Sequence, residues 1–444
     1  MKASKYNFIF PFSKDNNKKL LYNSLTNALA ILEDDNKYSQ FKNFCKSNKN
    51  IEDKEFVNDL IKGGYLIRDD FNEIDFIKVR LYKARYGTKR LSLTIAPTLK
   101  CNFKCVYCYE EASERSNSLS EENQQKIISM VENNLDYISD FNVTWYGGEP
   151  LLQFDIIKEL STKFIEMCNK KGVNYAAGII TNGYMLTREI ASELENLNIK
   201  SIQITLDGAK EQHDRRRPLV GGGPTFDTII SNIAKSKDKL PCVVQLRINI
   251  DKENVDKIDS IIDILKENEL QKHVLPYIAM VESHNNTYSD EKCFHSEAFS
   301  QLEINYRTKY NNKANRYLSS MYPQQKRNYC GADSENSYVI NSDGKLYKCW
   351  CDIGAEDYSI GHVGSIDESS KLYTEYMLYD PTNDTDCKEC KYLPICMGGC
   401  PNRRLRKSIN RCINMKYQLD KFIDAISIQI INESKDAEAL SNLN

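Results

Sequence analysis

Leu91-Ser-Leu-Thr-Ile-Ala-Pro-Thr-Leu-Lys-Cys101-Asn-Phe-Lys-Cys105-Val-Tyr-Cys108 decides how this chain folds. Leu91 to Ala96 alternates apolar and small polar residues and predicts a strand. The cysteines follow at once, spaced x3 then x2, so they sit on the loop at the strand's C-terminal end. In α/β barrels that end carries the active site. Three thiolates so close in sequence can grip three irons of a four-iron cube and leave the fourth iron open to a ligand. Zinc normally takes a fourth protein ligand and paired Cys-x2-Cys spacings, and the spacing alone leaves zinc as the alternative.

Outward from this loop one pattern repeats. Phe141–Tyr146, Tyr175–Ile180, Ser201–Leu206, Cys242–Ile250 and Val274–Met280 read as strands. Helical periodicity over 119–137, 154–171, 187–197, 225–236 and 254–268 separates them. Six strands alternating with helices predict an α/β fold with a parallel sheet or barrel. Ahead of them, Tyr6–Phe12 reads as a strand, and Leu20–Leu32 as a second strand leading into a helix. Residues 53–61 are helical, Gly63-Gly64 stops them, and Tyr65–Arg68 is a further strand. Residues 72–90 form a polar linker helix. Beyond the alternation, 281–325 is polar with a helix near 296–311, and the chain from 326 is rich in cysteines and loops.

At 444 residues the chain is long enough for two to four domains. Its 60 basic and 62 acidic side chains balance, which argues against a nucleic-acid partner. No apolar run is long enough to span a membrane. The opening Met1-Lys-Ala-Ser-Lys lacks a signal peptide's apolar stretch, so the expected location is the cytoplasm. Fifteen cysteines in a reducing compartment point to metal. Cys45, Cys168, Cys242 and Cys293 are isolated and are expected to be small buried apolar residues. Eight others crowd into 330–412.

The triplet, with aromatic Tyr107 before its last cysteine, resembles the signature of the radical S-adenosylmethionine (radical SAM) superfamily. Three further strand ends strengthen the resemblance. Gly147-Gly148-Glu149-Pro150 resembles the motif that holds the amino group of SAM; glycines let backbone come close, and a carboxylate suits an ammonium. Thr181-Asn182-Gly183 resembles the site of the SAM ribose. Leu206-Asp207-Gly208 leads into His213-Asp-Arg-Arg-Arg217, and the resemblance makes Arg217 the candidate for the SAM carboxylate, onto which a guanidinium can fork. The implied fold is a partial (β/α)6 barrel over 91–310. The implied chemistry is reductive cleavage of SAM to a 5′-deoxyadenosyl radical that abstracts hydrogen from substrate. A flavodoxin or ferredoxin would supply the electron.

The later cysteines run Cys330, Cys349, Cys387-x2-Cys390-x5-Cys396-x3-Cys400 and Cys412. This order resembles the SPASM domain, assigned to 311–444, which holds two auxiliary [4Fe–4S] clusters and brings the total to three. By that resemblance Cys330, Cys349 and Cys400 serve the first, and Cys387, Cys390, Cys396 and Cys412 the second. Cys351 is a candidate fourth ligand to the first; otherwise the site stays open to substrate sulfur. Tyr338 to Cys349 reads as a hairpin about Asp343-Gly344. Asp352 matches a base used by related oxidising enzymes, with a surface turn as the alternative.

Residues 1–70 resemble the winged-helix-like, PqqD-like domain that binds leader peptides, followed by a linker at 71–90. Such domains add an extended peptide to a sheet edge. The whole chain is therefore similar to SPASM-domain peptide maturases of the sactipeptide and ranthipeptide type. The resemblance implies crosslinking of a ribosomally made precursor peptide, with a Cys thioether as the leading product. Two rivals stand beside it: a sulfatase-type maturase making formylglycine, and a non-catalytic zinc- or peptide-binding regulator.

Overall fold

The computed structural model describes residues 1–47, 50–87, 89–112, 118–284, 288–311, 320, 322–408 and 410–441. The chain forms two compact units, each assembled from separate stretches.

The larger unit takes residues 86–294 and 331–378. Its centre is an eight-stranded sheet. In the numbering used here, which leaves β1–β3 for the other unit, its strands are β4 Arg90–Ile95, β5 Asp140–Trp145, β6 Asn174–Thr181, β7 Ile199–Thr205, β8 Val244–Ile250, β9 Val274–Met280, β10 Ser337–Ile340 and β11 Leu346–Tyr347. The order is β9-β8-β7-β6-β5-β4-β10-β11. β4 to β9 are parallel neighbours in chain order, as the alternation predicts; β4 and β5 run in register from Arg90↔Asp140 to Ile95↔Trp145. The sheet is larger than six strands. β10 adds in parallel to the outer side of β4, pairing Ser337 with Ser92. The expected hairpin then returns as β11, antiparallel, with Gly344 at φ +88° in its turn.

Helices cover the sheet for the reason their periodicity gives. The helix Phe154–Lys171 buries Ile157, Leu160, Phe164 and Cys168, each apolar side chain stabilising by about 1.5–3 kcal/mol when fully buried. It stops at Gly172, whose φ of +67° only glycine adopts without strain. Cys168 and Cys293 are buried, as expected of isolated cysteines; Cys242 is half-buried and Cys45 is exposed, which corrects that expectation for Cys45.

The second unit joins residues 1–85, 295–330 and 379–444. Its antiparallel sheet has the order β1 Asn7–Pro11, β2 Lys19–Asn23, β3 Leu29–Leu32. The expected passage from strand to helix within Leu20–Leu32 is instead a strand pair, and the helix begins at Asp35. Asn23 makes the turn: its Oδ1 accepts from the backbone N–H of Leu25 and Thr26, and Asn27 takes φ +66°. The helix Lys54–Lys62 is capped by Asp53, which accepts from Phe56 N–H. Phe8, Phe12, Leu20 and Tyr22 pack with Leu419 and Ile423 of the long C-terminal helix, Leu419–Ser441. Tyr6, Leu25, Ile77 and Leu81 pack with Leu393 and Met397. The first 85 residues therefore share one core with the last cysteine-rich segment.

Candidate active site at the strand ends

The cysteine loop leaves β4 and is held from two sides. Residues 102–106 form a two-stranded ribbon with residues 216–220. Lys104 N–H donates to Pro218 O at 2.9 Å, Val106 N–H to Arg216 O at 3.0 Å and Val220 N–H to Asn102 O at 2.9 Å; Phe103 pairs with Leu219. From the other side comes the turn after β5. A Cβ on Gly148 would strike the carbonyl of Lys100 and lie 2.5 Å from that of Leu99, and one on Gly147 would strike Thr98 O. The close approach these glycines permit is to the stem of the cysteine loop itself. Burial pushes the Cys101 thiol up to about 12, against the Phe103 N–H that Sγ accepts at 3.4 Å; the charges of Cys105, Glu149 and Cys108 add to the rise.

Glu149 is fully buried, and three chain donors converge on its carboxylate: Thr181 Oγ1 at 2.7 Å, Asn182 N–H at 2.7 Å and Leu151 N–H at 3.0 Å. It thus ties the end of β5 to the end of β6. Burial raises its pKa, and those hydrogen bonds work the other way. Pro150, also buried, opens the short 3-10 turn that Glu149 caps. Asn182 Nδ2 donates to Asn102 Oδ1 at 2.8 Å and lies 4.0 Å from Cys101 Sγ. Three of the four strand-end motifs therefore meet at the cysteine loop.

The fourth meets it through Tyr107, whose hydroxyl donates to Asp207 and accepts from Arg217 Nη1 at 2.8 Å and Asn249 Nδ2 at 3.0 Å. Arg217 lies over the Phe103 ring, and its buried Nε has no hydrogen-bond partner among the described residues. Burial opposes its charge, but Cys105, Tyr107 and Asp207 together hold its pKa above the usual value. Arg216, the next residue, is buried between Asp207 at 3.4 Å and Asp251 at 2.7 Å, and stacks on Tyr107. Tyr288 Oη also donates to Asp251, at 2.7 Å. The sequence reading missed Asn249, Asp251 and Tyr288. Asn249 and Asp251 close β8 as the recognised motifs close β5, β6 and β7, so the strand-end rule applied once more finds them.

In the same unit, Cys351 Sγ lies 4.0 Å from His284 Nε2, and Cys349 is close enough to Cys351 for their charges to interact. His284 meets the edge of Tyr109, whose hydroxyl bonds that of Tyr146. Asp352 is 2% exposed and accepts from Tyr376 Oη at 3.1 Å. This overturns the surface-turn alternative for Asp352 and puts its carboxylate in the core.

In the other unit, Cys396 is close enough to Cys390 and Cys412, and Cys387 to Cys396, for their charges to interact. Met397, Gly398 and Gly399 all have positive φ, and Gly399 lies against the Arg411 carbonyl, which brings Cys396 beside Cys412. Lys416 Nζ donates to Cys412 Sγ at 3.6 Å. Cys330 and Cys400 belong to this unit and flank Tyr329. Among the described residues no three His, Cys, Asp or Glu side chains close to the spacing of a single metal ion. Thiolates are the usual ligands of iron–sulfur clusters.

A sequence model of the radical SAM superfamily matches residues 95–265. That stretch is a radical SAM domain, and SAM binding and iron–sulfur chemistry follow from the family. An Fe-coproporphyrin III synthase of Methanosarcina barkeri is 31% identical over 180 residues, 39% of this chain; the match spans 41% of that relative's own length. A cysteine-type anaerobic sulfatase-maturating enzyme of Clostridium novyi is 24% identical over 70% of this chain and 88% of its own. The crystal structure of SuiB from Streptococcus suis bound to S-adenosylmethionine shares the fold, with a TM-score of 0.53 at 18% identity over 92% of this chain and 97% of SuiB. Residues 95–265 thus form a radical SAM domain, and the chain is similar in sequence to a sulfatase-maturating enzyme and in fold to SuiB. None of the described helices is long and apolar enough to cross a membrane.

Proposed function

We propose that this enzyme binds the leader of a ribosomally made precursor peptide and closes an intramolecular crosslink in its core, a Cys thioether. The single observation that carries the reading is the N-terminal sheet. Among the described residues, β3 pairs only with β2. Because Asn23 N–H donates to Ala28 O, the alternation of an antiparallel ladder turns the N–H and C=O of Leu29 and Ile31 away from β2. An extended leader can add there as a further strand. SuiB has been crystallised with its precursor peptide SuiA, which supports a peptide substrate.

In this reading Cys101, Cys105 and Cys108 hold the cluster that binds SAM. When bound, that pair supplies hydrogen-atom abstraction from the peptide. Arg217 meets the SAM carboxylate with its buried Nε, and Gly147, Gly148, Glu149, Pro150, Thr181, Asn182 and Asp207 line the SAM site, the Gly147–Pro150 turn toward the amino group and Thr181 and Asn182 toward the ribose. Cys387, Cys390, Cys396 and Cys412 hold one auxiliary cluster, and Cys330, Cys349, Cys400 and Cys351 the other. Asp352, buried and hydrogen-bonded by the Tyr376 hydroxyl, is the candidate base.

The relationship to a sulfatase-maturating enzyme favours a second reading, formylglycine formation. One experiment separates the two. Ile31→Pro removes an outward N–H from the β3 edge. Peptide affinity should fall about tenfold, the worth of one or two edge hydrogen bonds. SAM cleavage without peptide should persist. Mass spectrometry of the co-expressed peptide should show loss of paired hydrogens with sulfur retained. Loss of sulfur, with affinity unchanged in the variant, would establish the formylglycine reading instead.

A further inference from the structure

Tyr6 carries a hydroxyl that its apolar surroundings do not account for. The residue is 0% exposed, and its Oη has no hydrogen-bond partner among the described residues. A buried hydroxyl without a partner is costly, so one kept in a packed interior calls for an acceptor. Its backbone is fixed on both sides. Tyr6 N–H donates to Ser4 Oγ at 3.2 Å, and Tyr6 O accepts from Ser24 N–H at 3.1 Å. The side chain packs with Leu25, Ile77, Leu81, Leu393 and Met397, and Cys387 lies against the same apolar group.

The chain next to that hydroxyl is the Cys387–Cys390 segment. Lys5 Nζ donates to Lys388 O at 2.6 Å and to Glu389 Oε2 at 2.8 Å. Lys391 Nζ donates to Asn7 O at 3.0 Å, and Ser24 Oγ to Lys391 O at 2.6 Å. The residues before and after Tyr6 thus grip the residues before and after Cys390. Burial raises the Tyr6 pKa, and the charges of Glu73, Glu389 and Cys390 add to the rise, so all three stand near its side chain. Two of the three already accept hydrogen bonds: Glu73 from Ser4 Oγ at 2.5 Å and Lys5 N–H at 3.0 Å, and Glu389 from Lys5 Nζ. The third is a thiol. All these residues belong to one compact unit.

We infer that the Tyr6 hydroxyl donates to Cys390 sulfur in the iron–sulfur cluster held by Cys387, Cys390, Cys396 and Cys412, and so makes the first module part of what sets that cluster's reduction potential. The donor set fits such a group. A buried hydroxyl near Cys390 and the Lys416 ammonium, 3.6 Å from Cys412 Sγ, suit the negative charge that four thiolates bring to a cluster. The sulfur atoms carry more negative charge after the cluster gains an electron. The hydrogen bond is therefore stronger in the reduced state and raises the potential. The inference rests on the reading that these four cysteines hold a cluster.

The test uses the full-length, cluster-loaded enzyme and a redox titration followed by electron paramagnetic resonance. The signal of this cluster is the one that Cys390→Ala removes. In Tyr6→Phe its midpoint should fall far enough to cut the reduced-to-oxidised ratio at a fixed potential about tenfold, a shift of about 59 mV for one electron. The other signals should keep their midpoints, and bound iron should match wild type. An unmoved or raised midpoint in Tyr6→Phe, with iron at the wild-type level, would overturn the inference. So would loss of iron from Tyr6→Phe with the remaining cluster at the wild-type midpoint, which would assign Tyr6 to packing alone. If Cys390→Ala instead keeps all the iron and every signal of wild type, the underlying cluster reading fails, whatever Tyr6→Phe does.

Discussion

Replacing Arg216 by methionine removes the one cation between two fully buried carboxylates. Arg216 is 2% exposed, and Asp207 and Asp251 are both 0% exposed. Its Nη1 is 2.7 Å from Asp251 and its Nε 3.4 Å from Asp207. Methionine fills the apolar part of the space but offers no charge and no donor. Taking one partner from a buried ion pair costs about 3–5 kcal/mol. In a unit of this size each kcal/mol moves the melting temperature by about 2–4 °C, so the expected drop is about 6–20 °C. The sign of its pH dependence follows. The orphaned carboxylates escape by taking up protons, so the folded variant binds more protons than the unfolded chain, and its stability falls as pH rises. The deficit at pH 7.5 should therefore exceed that at pH 5.0. Thermal melts by circular dichroism at both values, on wild type and Arg216→Met, supply the comparison. Adding Asp207→Asn and Asp251→Asn should recover most of the loss, since a buried ionic network replaced as a whole is often neutral. A drop below about 2 °C at pH 7.5, or one independent of pH, would refute the claim that this trio carries stability at the strand ends.

Two further substitutions probe the same scaffold. Gly148→Ala pushes a methyl group against the carbonyls of Lys100 and Leu99; it should cost about 1–3 kcal/mol by overpacking and reduce iron bound after anaerobic reconstitution, whereas Gly221→Ala, which meets nothing within 4 Å, should change neither. Burial, with Arg217 and Arg216 adding to it, holds the His213 pKa well below the usual imidazole range. Its contribution to stability is thus present above about pH 6.5 and lost as pH falls below it. His213→Asn keeps an acceptor for Asp207 N–H, which His213 Nδ1 now accepts at 3.2 Å, and does not titrate; its melting temperature should fall less than wild type's between pH 7.5 and 5.5, and equal falls would exclude the mechanism.

Much of the larger unit was legible because its strands are short apolar runs between helices with a 3.6-residue period. Val274–Met280 and Phe154–Lys171 match their expected bounds. The site was legible for a related reason: parallel strands in chain order put every strand-end loop on one side, so motifs far apart in sequence must converge. What failed depended on partners the sequence does not announce. Leu20–Leu32 carries apolar residues that suit either strand or helix, and the side chain of Asn23 decides for a turn. Ser337–Ile340 reads as half of a local hairpin, yet it also finds the unpaired side of β4. The first module reads as separate, but Phe8 and Tyr22 are covered by residues some four hundred positions later.

The recognised motifs also hold the scaffold together. Gly147 and Gly148 approach the loop stem, Glu149 joins two strand ends, and Asp207 holds Tyr107 and Arg216. Such roles constrain residue type tightly, because a buried carboxylate without its donors, or a methyl group against a carbonyl, costs several kcal/mol. A pattern of that kind is visible in a sequence because the packing is demanding. Arg217 differs. It keeps a buried, unpartnered Nε among cysteine, tyrosine and aspartate side chains, and a cation so placed gains by meeting an anion. The features that would choose a substrate, the free edge at Leu29 and Ile31 and the pair Cys351 and His284, lie outside all four strand-end motifs. They rest on backbone groups and loose contacts that many side chains could supply. Chemistry is therefore easier to read from this sequence than specificity.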